Sequence, residues 1–188
     1  MNDEEFELGD IQGIKVTAGR SVGPTSLVLW VVFSLLGWRV WRLSPRKAIA
    51  GGLIVTGLHF LSELWHQLGH ARAARRTGFP MSGIHFWGPL ASSVYPPNEP
   101  PLPDDIHIAR ALGGPRASIM MTVLGSVLAL LTWPLRSLVG MITTLFALDN
   151  LLVFTLGALL PLPGGMETDG RTILNHTRNR HHNIVIKE

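Results

Sequence analysis

Four apolar runs divide the chain, and the polar residues inside and between them set its organisation. The first run, TSLVLWVVFSLLGW at 25–38, is short for a bilayer crossing and reaches full length only if Arg39 and Arg42 extend their charged ends to the interface. The second extends from about Ala48 to His70 and is long enough to cross, but His59, Glu63, His66 and His70 interrupt it. The third is SIMMTVLGSVLALLTWPL at 118–135, and after a tight turn at Pro134 the fourth covers 137–160, with Asp149 and Asn150 near its middle. Ahead of the first run, Ile14 and Val16 alternate with polar residues and predict a short interfacial strand. In the loop at 77–116, GIHFWGPLASSVY has the aromatic, β-branched and glycine content of a hairpin, and PPNEPPLPDD reads as extended exposed chain. The pattern predicts an all-α polytopic membrane protein of about four transmembrane helices with a small β hairpin at the cytoplasmic membrane surface. Residues 1–10 are expected to be an acidic mobile tail, 11–175 the membrane domain, and 176–188 a polar tail outside the packed core.

Composition sharpens this picture. Of 188 residues, 46% are hydrophobic and only 15% charged, against roughly 25% charged in soluble domains. The pI near 10.0 does not point to nucleic acid, because the basic residues form no patch interleaved with aromatics and gather at the ends of apolar runs. With four crossings, one side collects Lys15, Arg20, Arg72, Arg75, Arg76, Arg110, Arg116, Arg171, Arg178, Arg180 and Lys187. The other side holds Arg39, Arg42, Arg46, Lys47 and Arg136. The bias of basic residues towards the cytoplasm therefore puts both termini and the polar end of the second run there, in a cell membrane expected to be prokaryotic. The N-terminus lacks the basic region of a cleaved export signal. Cysteine is absent, which removes disulfides and thiolate metal sites and leaves histidine and carboxylate as metal ligands.

The second run carries the candidate chemistry. His66 and His70 are four residues apart, about 40° around a helix and one turn along it, so both imidazoles can reach one ion. A catalytic zinc normally takes three protein ligands plus water. Asp169, in LLPLPGGMETDGRTIL, is the favoured third ligand, since the Pro and Gly residues before it can break a helix and turn a carboxylate inward; Glu167 competes with it. His59, Glu63, His66 and His70 share a face about 60° wide. Ionisable residues inside a membrane span are costly and usually functional. Such a stripe faces either a polar cavity or a polar packing seam without metal. The histidines of the tail, His176, His181 and His182, could bind metal or simply be solvated.

These segments together resemble the site-2 protease family of intramembrane zinc metalloproteases. SELWHQLGHARAARRTG is similar to the family's zinc helix, with Ser62, Gly69, Ala74 and Gly78 in place, and GIHFWGPLASSVYP to the membrane-associated hairpin that follows it. ALGGPRASIM resembles the A-G-P-x-x-N stretch, with Gly114 and Pro115 matched and Ser118 where Asn is usual. LLPLPGGMETDGRTIL resembles the N-x-x-P-x-P…D-G motif that delivers the third ligand. The likeness covers about 11–175, without an appended PDZ or CBS domain. It implies one zinc ion on His66, His70 and Asp169, peptide hydrolysis in or near a substrate's transmembrane helix, and a transmembrane protein or peptide as partner in the lipid bilayer. Three departures stand out. Ala158 replaces the motif's Asn, with Asn150 matching another family Asn only to within a residue. The gap from Pro163 to Asp169 is longer than in the common form. Gln67 stands where the H-E-x-x-H signature has its glutamate.

The glutamate of that signature accepts a proton from the attacking water and passes it to the leaving amine. An amide cannot hold that proton near neutral pH, and losing such help typically costs about 10²–10⁴-fold in rate. The ligands are untouched, so zinc is expected to bind while proteolysis is slow or absent. Gln67 is then either an engineered block at the base position or the native residue of a pseudoprotease that holds transmembrane segments without cutting. Glu63 is a candidate relocated base or, at i−3 from His66, a carboxylate orienting that ligand. His59, Asp149 and Asn150 are candidates for the substrate or water path, or for interhelical hydrogen bonds. Ile84, His85 and Phe86 in the hairpin are candidates to pair with an unwound substrate strand. Sequence leaves the oligomeric state open.

Overall fold

The computed structural model describes residues 5–133, 137–161 and 167–185, with side chains described through Asn179. Two strands come first, β1 (Phe6–Ile11) and β2 (Ile14–Ala18), followed by helices α1 (Val22–Arg39) and α2 (Pro45–Arg76). Strands β3 (Gly83–Trp87) and β4 (Leu90–Val94) then lead to α3 (Asp104–Ala111), α4 (Gly113–Thr132), α5 (Leu138–Asp149) and α6 (Asp169–Val185), and α5 continues as a π-helical stretch over Asn150–Gly157. Among the described residues, four helical segments are long and apolar enough to cross a membrane: Val22–Arg39, Pro45–Arg76, Asp104–Thr132 and Leu138–Gly157. Their outward faces are apolar, with Leu130 and Leu131 each 75% exposed, as suits contact with lipid. The fold is a helical membrane domain with one small sheet.

Helix α2 is the axis of that domain. Its 32 residues extend about 48 Å at 1.5 Å per residue, well beyond a hydrocarbon core of about 30 Å. Pro45 opens it, where a missing N–H costs nothing, and Gly78 just beyond its end takes φ 83. The protruding C-terminal turns serve as the floor for the sheet. Ala71 and Ala74 pack against Ile14, Val16, Ala18, Met81, Ile84 and Phe86 in one buried cluster. Strand alternation supplies those inward residues, which is why Ile14, Val16 and Ala18 are buried while Lys15 is exposed. A second cluster, Leu43, Ala48, Val55, Met141 and Leu145, ties the other end of α2 to α5.

The sheet is larger than the predicted hairpin. It has four strands in the order β1-β2-β3-β4, with β2 and β3 parallel and the outer pairs antiparallel. Residues 6–11 are therefore a paired strand and not a mobile tail. The Gln12-Gly13 turn makes the hairpin possible, because both residues take positive φ (55 and 81) and Asp10 Oδ1 accepts the Gly13 N–H at 2.7 Å. That strand had no alternating signature because it is exposed nearly throughout. The polar tail is also corrected: α6 runs from Asp169 to Val185, and His176 stacks on His107 at 4.2 Å between ring centroids while its Nδ1 lies 2.6 Å from Asp104 Oδ1. The expected turn at Pro134 lies outside the described residues.

Helices α2 and α4 cross where glycine meets glycine. A Cβ at Gly69 would collide with the Gly113 carbonyl oxygen and the Ala117 methyl, whereas Gly57 has nothing within 4 Å. Gly69→Ala is expected to lower stability by about 1–3 kcal/mol, the range for overpacking a fitted interface. Gly57→Ala, free of contact and better in a helix, is expected to be neutral or slightly stabilising. Unfolding of both variants in detergent micelles, against the parent protein, measures the difference.

Candidate metal centre

Helix α2 places His66 and His70 on the face covered by α4, and the N-terminus of α6 brings Asp169 to them. The two Nε2 atoms lie 3.0 Å apart. Asp169 Oδ2 is 3.2 Å from His66 Nε2, and its Oδ1 is 3.4 Å from His70 Nε2. Tetrahedral zinc with bonds of about 2.0–2.1 Å has ligand atoms roughly 3.3 Å from one another, so these spacings fit one ion. The tautomers fit as well. His70 Nδ1 lies 2.9 Å from the Arg110 carbonyl oxygen, which can only accept, so that nitrogen carries the proton and Nε2 keeps its lone pair. His66 Nδ1 lies 2.9 Å from Ser118 Oγ, a hydroxyl that can accept from it in the same way. Such partners orient ligating imidazoles and raise their basicity. A further sign is Gly114, where a Cβ would collide with both Nε2 atoms. The space in front of the donors exists because position 114 has no side chain.

Asp169 is 16% exposed at its side chain and both histidines are buried. Glu167 is exposed and stands outside the cluster, although it lines the same cavity. That cavity measures about 690 Å³ and is bordered by β4, the π-helical stretch and the start of α6. π-Helical turns are rare and concentrate at functional sites. Here the turn carries Val153, Phe154 and Gly157 to the cavity wall beside Ala158.

Gln67 faces β4. Its Nε2 donates to Glu63 Oε1 and to the Ala91 carbonyl oxygen, both at 2.9 Å, and its Oε1 accepts from Ser93 Oγ at 2.9 Å. Glu63 Oε1 also accepts the Ala91 N–H at 2.8 Å. Glu63 therefore does not orient His66, whose free nitrogen is taken by Ser118. The candidates for a substrate or water path are displaced too. His59 donates from Nε2 to the Pro89 carbonyl oxygen at 2.8 Å, and its Nδ1 lies 3.1 Å from Asp149 Oδ2. Asn150 is fully buried and donates to Ser62 Oγ at 2.9 Å and to the Phe146 carbonyl oxygen at 3.0 Å. Both are ties between α2 and the α5 region, and neither lines the cavity. Ile84, His85 and Phe86 are also corrected as a pairing strand. They lie on β3, whose two edges are occupied by β2 and β4, so no further strand can add there. Of the two edge strands, β1 and β4, it is β4 that borders the cavity.

Arg110 escaped the sequence reading, where it counted only as a loop cation. It is 4% exposed, forms a two-pronged ion pair with Glu99, donates to the Phe79 carbonyl oxygen at 2.6 Å and stacks on Tyr95 at 4.2 Å. Its own carbonyl holds His70, so this pair anchors the ligand shell. Ser118 was visible only as a replaced asparagine.

Comparison with a solved structure places the arrangement. The site-2 protease from Methanocaldococcus jannaschii superposes with a TM-score of 0.63 at 16% sequence identity, over 94% of this chain and 73% of that one. The fold is that of a site-2 protease. No family model matches the sequence, and no curated protein does. Likeness at this identity speaks for the architecture alone, and the His66, His70 and Asp169 cluster lies within that architecture.

Two outcomes are expected. In zinc titrations of the purified protein, Gly114→Ala abolishes tight binding with the helical spectrum retained, and Ser118→Ala weakens affinity about 10–100-fold, as for other groups that orient metal ligands. The second concerns acid. The Arg110 hydrogen bonds hold Glu99 below the usual range, so its stabilising contribution is complete above the unfolded value of about 4.3 and is lost as pH falls through the depressed folded value. The stability difference between the parent protein and Glu99→Gln therefore shrinks as pH drops below about 4, which unfolding at a series of pH values reads directly.

Proposed function

We propose that the protein is an intramembrane zinc metalloprotease of the site-2 type, slow as it stands because residue 67 is an amide. The observation that carries this is the triad itself: two buried imidazoles of a span-forming helix, each with a partner at Nδ1, and one carboxylate, spaced for tetrahedral zinc at the wall of a cavity. His66, His70 and Asp169 would hold the ion. When bound, zinc supplies Lewis acidity towards a carbonyl and acidifies water. The chain's own residues do the rest. Ser118 and the Arg110 carbonyl hold the imidazoles still, and buried Phe154 closes the cavity wall against bulk water. Beyond Ala91, whose own N–H and C=O are taken by Glu63 and Gln67, β4 offers a sheet edge along which an unwound substrate segment can pair by main-chain hydrogen bonds. Substrates of this kind are membrane-tethered proteins or peptides. The Lys and Arg distribution supports a cytoplasmic opening.

A second reading is favoured by one observation. The Gln67 amide donates to two acceptors, Glu63 and the Ala91 carbonyl, which a glutamate could not do. The slot suits glutamine, as expected of a pseudoprotease that holds membrane segments without cutting them.

Cleavage of a panel of tagged transmembrane substrates by the zinc-loaded protein separates the two. Hydrolysis is expected when Gln67→Glu is introduced, with Glu63 either kept or exchanged for glutamine, and it is expected to vanish on adding His66→Ala. The gain over the parent protein should reach about 10²–10⁴-fold, the usual worth of general acid–base help. No cleavage in any form despite zinc binding decides for the holding module.

A further inference from the structure

Glu63, Gln67 and Ala91 form a closed set of hydrogen bonds, and the orientation of each group in it is determined. The Ala91 carbonyl can only accept, so the Gln67 nitrogen must face it, and the Gln67 oxygen is left for the Ser93 hydroxyl. The N–H and C=O of Ala91 both point away from β3, off the open edge of the sheet. There Glu63 accepts the one at 2.8 Å and Gln67 donates to the other at 2.9 Å. Two side chains one helical turn apart thus satisfy Ala91 as a neighbouring strand would. Glu63 is 2% exposed and lines the metal cavity, and its Oε2 forms no hydrogen bond with the described residues, in contrast to the doubly engaged Oε1.

We propose that residues 63 and 67 are one acid–amide unit that locks the β4 edge to α2, with Gln67 as the positioning residue of Glu63 and of the strand. Restoring the H-E-x-x-H signature by Gln67→Glu alone then costs the strand its lock and gives less than the full gain in rate. An oxygen would replace the Gln67 nitrogen and face Glu63 Oε1 and the Ala91 carbonyl, two acceptors at 2.9 Å, with no hydrogen between them. Like-charge repulsion and the lost donors loosen β4 from the helix. Adding Glu63→Gln removes the like-charge part of the conflict, since the pair then keeps one negative charge. The amide introduced at 63 can still accept the Ala91 N–H through its oxygen, the contact that Glu63 Oε1 makes, while the Ala91 carbonyl stays without its donor at 67. The strand lock stands independently of catalysis; its consequence for hydrolysis rests on the protease reading above.

The test is a double-mutant cycle on the full chain in detergent or nanodiscs, with the parent protein, Gln67→Glu, Glu63→Gln and the exchange of both. The first readout is hydrogen exchange at the Ala91 amide in metal-free protein, and the second is cleavage by zinc-loaded protein. Gln67→Glu is expected to lose at least tenfold in Ala91 protection, and the double exchange to regain part of it. The double exchange is also expected to cleave at least about tenfold faster than Gln67→Glu alone, within the range of acid–base effects. Rescued protection without cleavage in the double exchange supports the lock and removes the protease reading. Equal protection in Gln67→Glu and the parent protein, or a double exchange no better protected than Gln67→Glu, overturns the proposal.

Discussion

Every polar group that α2 carries into the apolar domain must find a partner, because hydrocarbon offers none. The rest of the structure is arranged around that requirement. His59 takes Asp149 and the Pro89 carbonyl, Ser62 takes Asn150, and Glu63 with Gln67 takes the backbone of β4. His66 and His70 take Ser118, the Arg110 carbonyl and Asp169. One helix face therefore recruits α3, α4, α5, α6 and the sheet. The partners come from all along the chain, which is why the polar stripe also acts as the assembly code of the domain.

Within this stripe the residues fall into two kinds. His59, Ser62 and their partners are interhelical pairs that do not line the cavity, and they hold the helices in register. The turn from Glu63 to His70 is different, because its groups border open space and keep atoms in reserve. The lone pairs of the two Nε2 atoms converge with Asp169, and a glycine at 114 leaves room in front of them. Small residues do this work elsewhere too: Gly69 against Gly113 lets α4 approach closely enough for Ser118 to reach His66. Close packing of backbones and precise ligand placement are here one and the same constraint.

The sheet has a double task. It covers the protruding end of α2 with an apolar layer, and it presents β4 as an edge beside the candidate metal centre. An unprotected edge invites pairing with other chains. Near the metal ligands that edge is held by two side chains at Ala91, so pairing is controlled by the helix that also bears the ligands. The ion pair of Arg110 with Glu99 fastens the opposite wall and transmits to His70 through a carbonyl. The site is therefore built from scaffold on all sides, with α6 supplying the one ligand from a distant part of the chain.

Much was legible in the residues alone. The four spans, the helical His66 and His70 pair, the amide at 67 and the nomination of Asp169 over Glu167 follow from hydropathy, from helical spacing and from likeness to a known family, all local properties. What needed the folded chain were partnerships between segments far apart in sequence. β1 had no alternation to betray it, since both its faces are exposed, and α6 looked like a solvated tail until α3 was set beside it. Edge and interior strands of a sheet share one residue pattern, so only the observed order could free β4 and exclude Ile84, His85 and Phe86. Sequence named the polar groups; tertiary structure decided whom each one bonds, because a hydrogen bond is fixed by position and direction in space, and those depend on how distant elements pack.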